Sequence, residues 1–142
     1  MASVSEITID VIIHATEDSS KFLDAFNDMF GLARENFSVT NTTGHYDNPI
    51  AIMGVKLKKS AAQRFLDMLL EKMNTSQKDT MISEMSKRTL GSRFHLRLGK
   101  QEFLKGVLSF QEEDAIRIRI SAPIYSKKDT ADTFKRILGC SD

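Results

Sequence analysis

Apolar and polar residues alternate along three segments of the chain, a pattern typical of strands that bury one face. These segments run from Ile7 to His14, from Arg93 to Leu98 and from Ala115 to Ala122. In each of them every second residue is apolar, so one face is expected to join the core. The intervening positions carry the polar and basic residues Asp10, His14, Arg93, His95, Arg97, Arg117 and Arg119.

Other segments have the apolar spacing of helices with one buried stripe. The first is predicted over Ser19–Phe30, with Asp18 or Thr16 as its N-cap and Gly31 as its left-handed end. A second begins at Ser60, where the Ser60–Gln63 spacing predicts a capping box. Further helices are predicted over Thr80–Leu90, ended by Gly91, and from Asp129 or Thr130 to Gly139.

Three more strands complete the prediction, at Phe37–Asn41, Ile50–Lys58 and Gly106–Phe110, with a turn at Gln101–Lys105. The predicted order is β-α-β-β-α-α-β-β-β-α. Hairpin-length connections in both halves favour an α+β two-layer sandwich, with an antiparallel or mixed sheet and helices on one face.

Composition narrows the class of protein. The 142 residues fit one domain over residues 1–142, and a 41% hydrophobic content can form a core without disulfides or metal. The single cysteine, Cys140, excludes an internal disulfide and a multi-cysteine zinc site, and we expect no cofactor. No long apolar run and no signal-peptide pattern occur, so a soluble cytoplasmic protein is expected.

Charge is distributed unevenly along the chain although the total is only +1. Residues 1–55 carry a net charge of −6, and residues 56–142 carry +7. This asymmetry is consistent with a bipolar surface whose basic part attracts phosphate. The alternative is that the two halves neutralise each other within the fold.

If helices cover the apolar face, the opposite face collects basic side chains. Neighbouring residues on the same face of a strand lie about 7 Å apart, which is close to the phosphate spacing of a single nucleic acid strand. The alternative is an ordinary solvated strand face, with charge that prevents edge-to-edge aggregation. Exposed aromatic residues typical of RNA-recognition sheets are not predicted, because Phe94 and Phe110 are expected to face the core. The basic-face candidates for RNA contact are Lys56, Lys58, Arg93, His95, Arg97, Arg117 and Arg119.

The loop before the third strand is a second candidate. It is rich in turn-forming residues, and its side chains include an imidazole and a phenol that could stack on bases. An ordinary tight loop is the alternative that local pattern favours. The residues proposed for RNA contact here are Gly44, His45, Tyr46, Asn48 and Pro49.

The segment from Gly44 to Ile50, Gly-His-Tyr-Asp-Asn-Pro-Ile, resembles the Gly-His-x-x-Asn-Pro-Ile signature of a small archaeal family of RNA-binding proteins or predicted exosome subunits. Phe94–Leu98, Lys100-Gln101 and Ile116–Ile120 also fit, so the resemblance spans about residues 5 to 138. It implies a fold similar to that of the ribosomal protein that binds 5S ribosomal RNA. It further implies a non-enzymatic role in RNA processing.

Two other functions stay open. Catalysis on RNA would have to use His45, Tyr46 and Asp47, which lack a second histidine or a lysine at a known spacing. A protein-interaction subunit of an RNA-processing complex, with no direct RNA contact, could use the methionines of the predicted helices, Met68, Met73, Met81 and Met85. RNA is therefore the expected partner, no membrane is expected, and complex subunits or a homodimer are left open.

Overall fold

The computed structural model describes residues 4–44, 47–123 and 130–138. The strands are β1 (Glu6–His14), β2 (Ser38–Thr43), β3 (Pro49–Lys58), β4 (Thr89–Leu90), β5 (Arg93–Gly99) and β6 (Ala115–Ser121). The helices are α1 (Ser19–Phe30), α2 (Ser60–Lys72), α3 (Thr75–Ser83), α4 (Met85–Arg88), α5 (Lys100–Leu104) and α6 (Thr130–Ile137), with one 3₁₀ turn at Arg34–Asn36.

The six strands form one antiparallel sheet in the order β2-β3-β1-β6-β5-β4. The β2–β3 hairpin is continuous from the pair Ser38 and Gly54 to the pair Thr43 and Pro49. The neighbouring strands β3 and β1, and β1 and β6, are not consecutive in the chain, whereas every other neighbouring pair is. The predicted α+β class is confirmed, with an antiparallel rather than a mixed sheet.

Contacts divide the chain into two compact units, and the prediction of a single domain stays a prediction. The first unit comprises residues 1–7, 56–96 and 119–142, and the second comprises residues 8–55 and 97–118. In the first unit the buried rings of Phe94 and Phe134 lie 5.8 Å apart. In the second unit Phe26 of α1 packs on Phe37 at 5.2 Å and on Phe103 of α5 at 4.6 Å.

The helix predicted over Ser19–Phe30 is confirmed to the residue. Asp18 accepts a hydrogen bond from the Ser20 backbone N–H, and Gly31 ends the helix with a φ of +66°. Glycine suits this end because it adopts a left-handed conformation without the clash that a Cβ causes.

Two predictions in the second unit are wrong. The predicted turn at Gln101–Lys105 is largely helix α5, which buries Phe103. The predicted strand Gly106–Phe110 is absent, and only an isolated bridge joins Phe110 to Leu98. Gly106 has a φ of +81° and Val107 is exposed, so the segment leaves the sheet at once.

Two predictions in the first unit also fail. Ser60 is the first helical residue of α2 and Lys59 is the N-cap, so the predicted capping box does not form. The Gln63 side chain instead accepts from the Val4 N–H and donates to Asp67. A capping box occurs at Asn74 and Gln77, at the start of α3.

The segment predicted as one helix over Thr80–Leu90 is divided among α3, α4 and the short strand β4. Gly91, with a φ of +62°, therefore connects β4 to β5 and does not end a helix.

The described helices include none with the length and apolarity needed to cross a bilayer. Met73, Met81 and Met85 are buried, so these methionines belong to the core.

Candidate nucleic-acid interface

Arg97 and Arg117 meet at one shallow cavity on the second unit. Both side chains are exposed, because they occupy the outward positions of alternating strands β5 and β6. This cavity, which we call the arginine cavity, has a volume of about 240 Å³. Its lining residues are Ile12, Arg97, Glu112, Asp114, Ala115 and Arg117.

The two guanidinium groups of this cavity differ in their surroundings. Arg97 Nη1 lies 3.5 Å from Glu112 Oε2 and donates a long hydrogen bond to the Glu112 carbonyl oxygen. Within the described residues Arg117 has no ion pair. Its planar donor set is therefore available to an anion that enters the cavity.

Lys100, the first residue of α5, is buried beside this cavity, with only 3% of its surface exposed. Its ammonium group donates to the Ile12 carbonyl oxygen, to Glu17 Oε1 at 3.1 Å and to Asp114 Oδ1 at 2.9 Å. A buried ammonium has three N–H groups to satisfy, and here each has an acceptor. Lys100 thus holds together β1, the turn between β1 and α1, and the acidic turn before β6.

Asp114 joins this cluster to His14. His14 Nε2 lies 2.8 Å from the same Asp114 Oδ1. Burial alone would raise the pKa of Asp114, but hydrogen bonds from Lys100 and His14, with their positive charge, outweigh it and hold that pKa below its usual range. Asp114 also has a φ of +49°, a conformation that Asp tolerates better than most residues.

The loop before β3 is closed by a backbone hydrogen bond from the Gly44 N–H to the Asn48 carbonyl oxygen at 2.7 Å. A Cβ on Gly44 would lie 3.3 Å from the Ile50 side chain, so a larger residue would crowd the turn. Asn48 and Pro49 are exposed. His45 and Tyr46, also predicted for RNA contact, lie outside the described residues.

The remaining predicted residues belong to the first unit. Lys56, Lys58 and Arg93 are exposed, whereas His95 and Arg119 are half-buried. The predicted set is therefore distributed over both units. Those in the second unit are Gly44, Asn48, Pro49, Arg97 and Arg117.

Sequence reasoning missed the aliphatic and ionic parts of this site. Ile12 and Ile52 are large apolar residues that are 36% and 41% exposed. Their outward positions in β1 and β3 could have been read from strand alternation. Nothing local signals that Lys100 is buried, since its acceptors come from residues up to 88 positions away. In the described part of the chain, no group of three or more His, Cys, Asp or Glu residues is arranged to hold a metal ion.

Comparison with known proteins gives a consistent result. A protein-family model described as RNA binding matches residues 6–122. RNA-binding protein PAB1135 of Pyrococcus abyssi is 28% identical over 132 residues, which cover 88% of this chain and 86% of that protein. Protein MJ0213 of Methanocaldococcus jannaschii is 23% identical and covers 95% of both chains. The crystal structure of the DUF54 protein SSO0741 from Sulfolobus solfataricus superposes with a TM-score of 0.78 at 26% identity, covering 96% of this chain and 99% of that one.

Proposed function

The chain belongs to the RNA-binding family, and from that membership we propose that it is a cytoplasmic, non-catalytic RNA-binding protein. Its contact surface would be the exposed strand face of the second unit. The observation that carries this proposal is the placement of Arg97 and Arg117 around one cavity with Ile12. Arginine binds phosphate through paired N–H groups, and an aliphatic side chain can pack against the face of a base.

A second isoleucine extends this surface. Asp10 Oδ1 lies 3.1 Å from the position that a Cβ on Gly54 would occupy. Asp10 of β1 and Gly54 of β3 are therefore neighbours on adjacent strands. Antiparallel pairing then places Ile52 beside Ile12. We call Ile12, Ile52, Arg97 and Arg117 the Arg–Ile surface. It offers apolar contact for bases next to cationic contact for the backbone, without exposed aromatic residues.

The first unit supplies further candidate phosphate contacts. Lys56, Lys58 and Arg93 are exposed and basic, and they join the proposal with His95 and Arg119. In the second unit the loop residues Gly44, His45, Tyr46, Asn48 and Pro49 are kept as candidates because they carry the family signature.

A salt titration tests RNA binding directly. Labelled single-stranded and structured RNA would be titrated by fluorescence anisotropy at several salt concentrations. Counterion release predicts that each lost phosphate contact lowers the slope of log affinity against log salt by about 0.7 for a single strand. Arg97→Ala and Arg117→Ala should each show this change. Arg34→Ala, which removes an exposed arginine from the same unit, should not.

Two results would overturn the proposal. The first is no binding at about 50 mM salt. The second is unchanged binding by the Arg97→Ala/Arg117→Ala double variant, which would contradict the assignment of the surface.

A cleavage assay tests the proposal that the protein is not an enzyme. The same RNA is incubated with wild type, His14→Ala and His45→Ala. Cleavage that is lost in either variant would contradict that proposal.

The resemblance of residues 44–50 to the family signature supports a role in RNA processing. More specifically, we propose that the protein acts with the exosome or on ribosomal RNA. Ultraviolet crosslinking in cells followed by sequencing of the bound RNA tests it. Enrichment of ribosomal RNA precursors is expected in wild type and should fall in the double arginine variant. Equal recovery of all abundant RNA from both proteins would contradict it.

A further inference from the structure

Strand β2 forms one edge of the sheet, and among the described strands none lies beyond it. Every residue of β2, Ser38–Thr43, is exposed, so the strand contributes no buried side chain to the core. It is held by its ladder with β3, which is continuous along the whole strand. An edge strand of this kind presents a row of backbone N–H and C=O groups with which another strand can pair.

The β2 edge lacks the features that usually prevent such pairing. Proteins protect sheet edges with charged side chains, proline, a β-bulge or a very short strand. The other edge strand, β4, is protected by its length, since it consists of Thr89–Leu90 alone. The sequence of β2, Ser-Val-Thr-Asn-Thr-Thr, has no charge and no proline, and its register with β3 has no bulge. This edge is therefore suited to pairing with a further strand.

The backbone groups that reach the free edge belong to three residues. A hydrogen bond of 2.7 Å from the Gly44 N–H to the Asn48 carbonyl oxygen continues the β2–β3 register by one pair. Hydrogen-bonded and non-hydrogen-bonded pairs alternate along an antiparallel ladder, so the even-numbered residues of β2 direct their N–H and C=O groups to β3. The groups that point away from β3 are those of Val39, Asn41 and Thr43.

We propose that β2 pairs antiparallel with β2 of a second copy of the chain, about a two-fold axis beside Asn41. In this register each Asn41 lies opposite its own copy, and each Val39 lies opposite Thr43 of the second copy. All three residues with outward-pointing backbone groups are then paired, which gives about six hydrogen bonds between the strands. An axis beside Thr40 would leave Thr43 beyond the end of the paired strand, so the Asn41 register is favoured.

A second copy is the partner that the composition of β2 favours. A two-fold contact brings each residue close to its own copy, so a charged strand would repel itself, and β2 carries no charge. Val39 is 43% exposed and lies on the same face of the strand as Asn41 and Thr43. In the dimer Val39 packs against Thr43 of the second copy, which removes apolar surface from water. This inference goes beyond the proposed function and does not depend on it.

The test is sedimentation velocity of the full chain without RNA, between about 1 and about 200 µM. Wild type should change from monomer to dimer across this range. Asn41→Lys and Asn41→Asp should each raise the dissociation constant at least about tenfold, because like charges meet at the axis. An equal mixture of the two variants should dimerise again, since lysine then faces aspartate. Asn36→Lys, which introduces the same charge at an exposed residue outside β2, should behave as wild type.

Hydrogen exchange of wild type measures the same contact without any substitution. The amides of Val39, Asn41 and Thr43 should exchange more slowly as the protein concentration rises, and mass spectrometry of a peptide that covers residues 38–43 detects the change. Exchange that does not depend on concentration would contradict the proposal.

The other outcomes are equally distinct. Wild type that remains a monomer at about 200 µM would overturn the pairing and leave the β2 edge to a different chain. A dimer that persists in both charged variants would show that another surface forms it. Variants that are folded by circular dichroism but do not dimerise when mixed would overturn the register at Asn41. RNA binding by a monomeric wild type would overturn this inference and leave the proposed function intact, whereas a dimer that binds no RNA would do the reverse.

Discussion

Lys100 Nζ lies 2.9 Å from Asp114 Oδ1, which ties the first residue of α5 to the turn that enters β6. The same ammonium reaches Glu17 at 3.1 Å, at the other end of the cluster. This arrangement fixes the acidic turn, and that turn forms one side of the cavity shared by Arg97 and Arg117. The buried cation therefore supports the site without belonging to its exposed surface.

Lys100→Met should destabilise the protein by about 2 kcal/mol, because it removes the buried ammonium group that donates to the Ile12 carbonyl oxygen and to the Glu17 and Asp114 carboxylates. Urea unfolding followed by circular dichroism measures the loss. Lys105→Met is the matched control, since Lys105 is exposed at the end of the same helix and should change stability by less than about 0.5 kcal/mol. Equal effects of the two substitutions would show that the Lys100 contacts do not stabilise the fold.

Asp114→Asn should make stability less dependent on pH in the acidic range. The folded-state pKa of Asp114 lies below its unfolded value, so its charge stabilises the protein above an unfolded pKa of about 3.9. This contribution is lost as the pH falls through the folded-state pKa. Asn preserves the shape and tolerates the φ of +49°.

Urea unfolding of wild type and Asp114→Asn across the acidic range measures this contribution. The stability difference should be largest above about pH 5 and should shrink steadily below it. A difference that is constant with pH would indicate that the Asp114 charge does not contribute to stability.

The elements that could be predicted are those specified by contacts close in sequence. The alternation from Ile7 to His14 and the caps Asp18 and Gly31 act within one strand or one helical turn, and β1 and α1 follow them. The Ser60–Gln63 spacing was misleading because a capping box also requires the first residue to precede the helix. Here Lys59 takes that position, and Ser60 lies inside the first turn.

The residues of the candidate site also fall into two groups, those that the local sequence specifies and those that only the tertiary fold specifies. Alternation was enough to place Arg97 and Arg117 on an exposed face, because side-chain direction in a strand follows from position parity. It was not enough to identify Lys100, whose acceptor Glu17 lies 83 residues away in sequence. A lysine after a strand is ordinarily exposed, and only the tertiary fold brings its acceptors together.

Lys59→Gly should stabilise the protein by about 1 kcal/mol. Lys59 has a φ of +53° and a ψ of −123°, a region that costs a residue with a Cβ about 1 kcal/mol or more and costs glycine little. Thermal unfolding measures the gain. Lys58→Gly, one residue earlier at the end of β3, should lower stability instead because glycine weakens a strand. A loss of stability in Lys59→Gly would contradict this explanation.

Glu112→Gln should strengthen RNA binding by about two- to fivefold, the range expected for release of an exposed ion pair. Glu112 neutralises Arg97 at 3.5 Å and brings a negative charge to the cavity in which phosphate is proposed to bind. The substitution removes that charge and frees the guanidinium, while the carbonyl contact is retained. Fluorescence anisotropy with a labelled single strand at low salt measures the change.

Glu113→Gln is the matched control, because it alters the net charge of the protein by the same amount at the next residue, which is exposed and does not line the arginine cavity. It should improve binding less than Glu112→Gln does. The gain from Glu112→Gln should also shrink when Arg97 is already replaced by alanine, since the two residues act through one pair. If Glu112→Gln and Glu113→Gln were equivalent, or if the gain persisted in the Arg97→Ala background, the effect would be one of overall charge, and Arg97 would not be the group that Glu112 restrains.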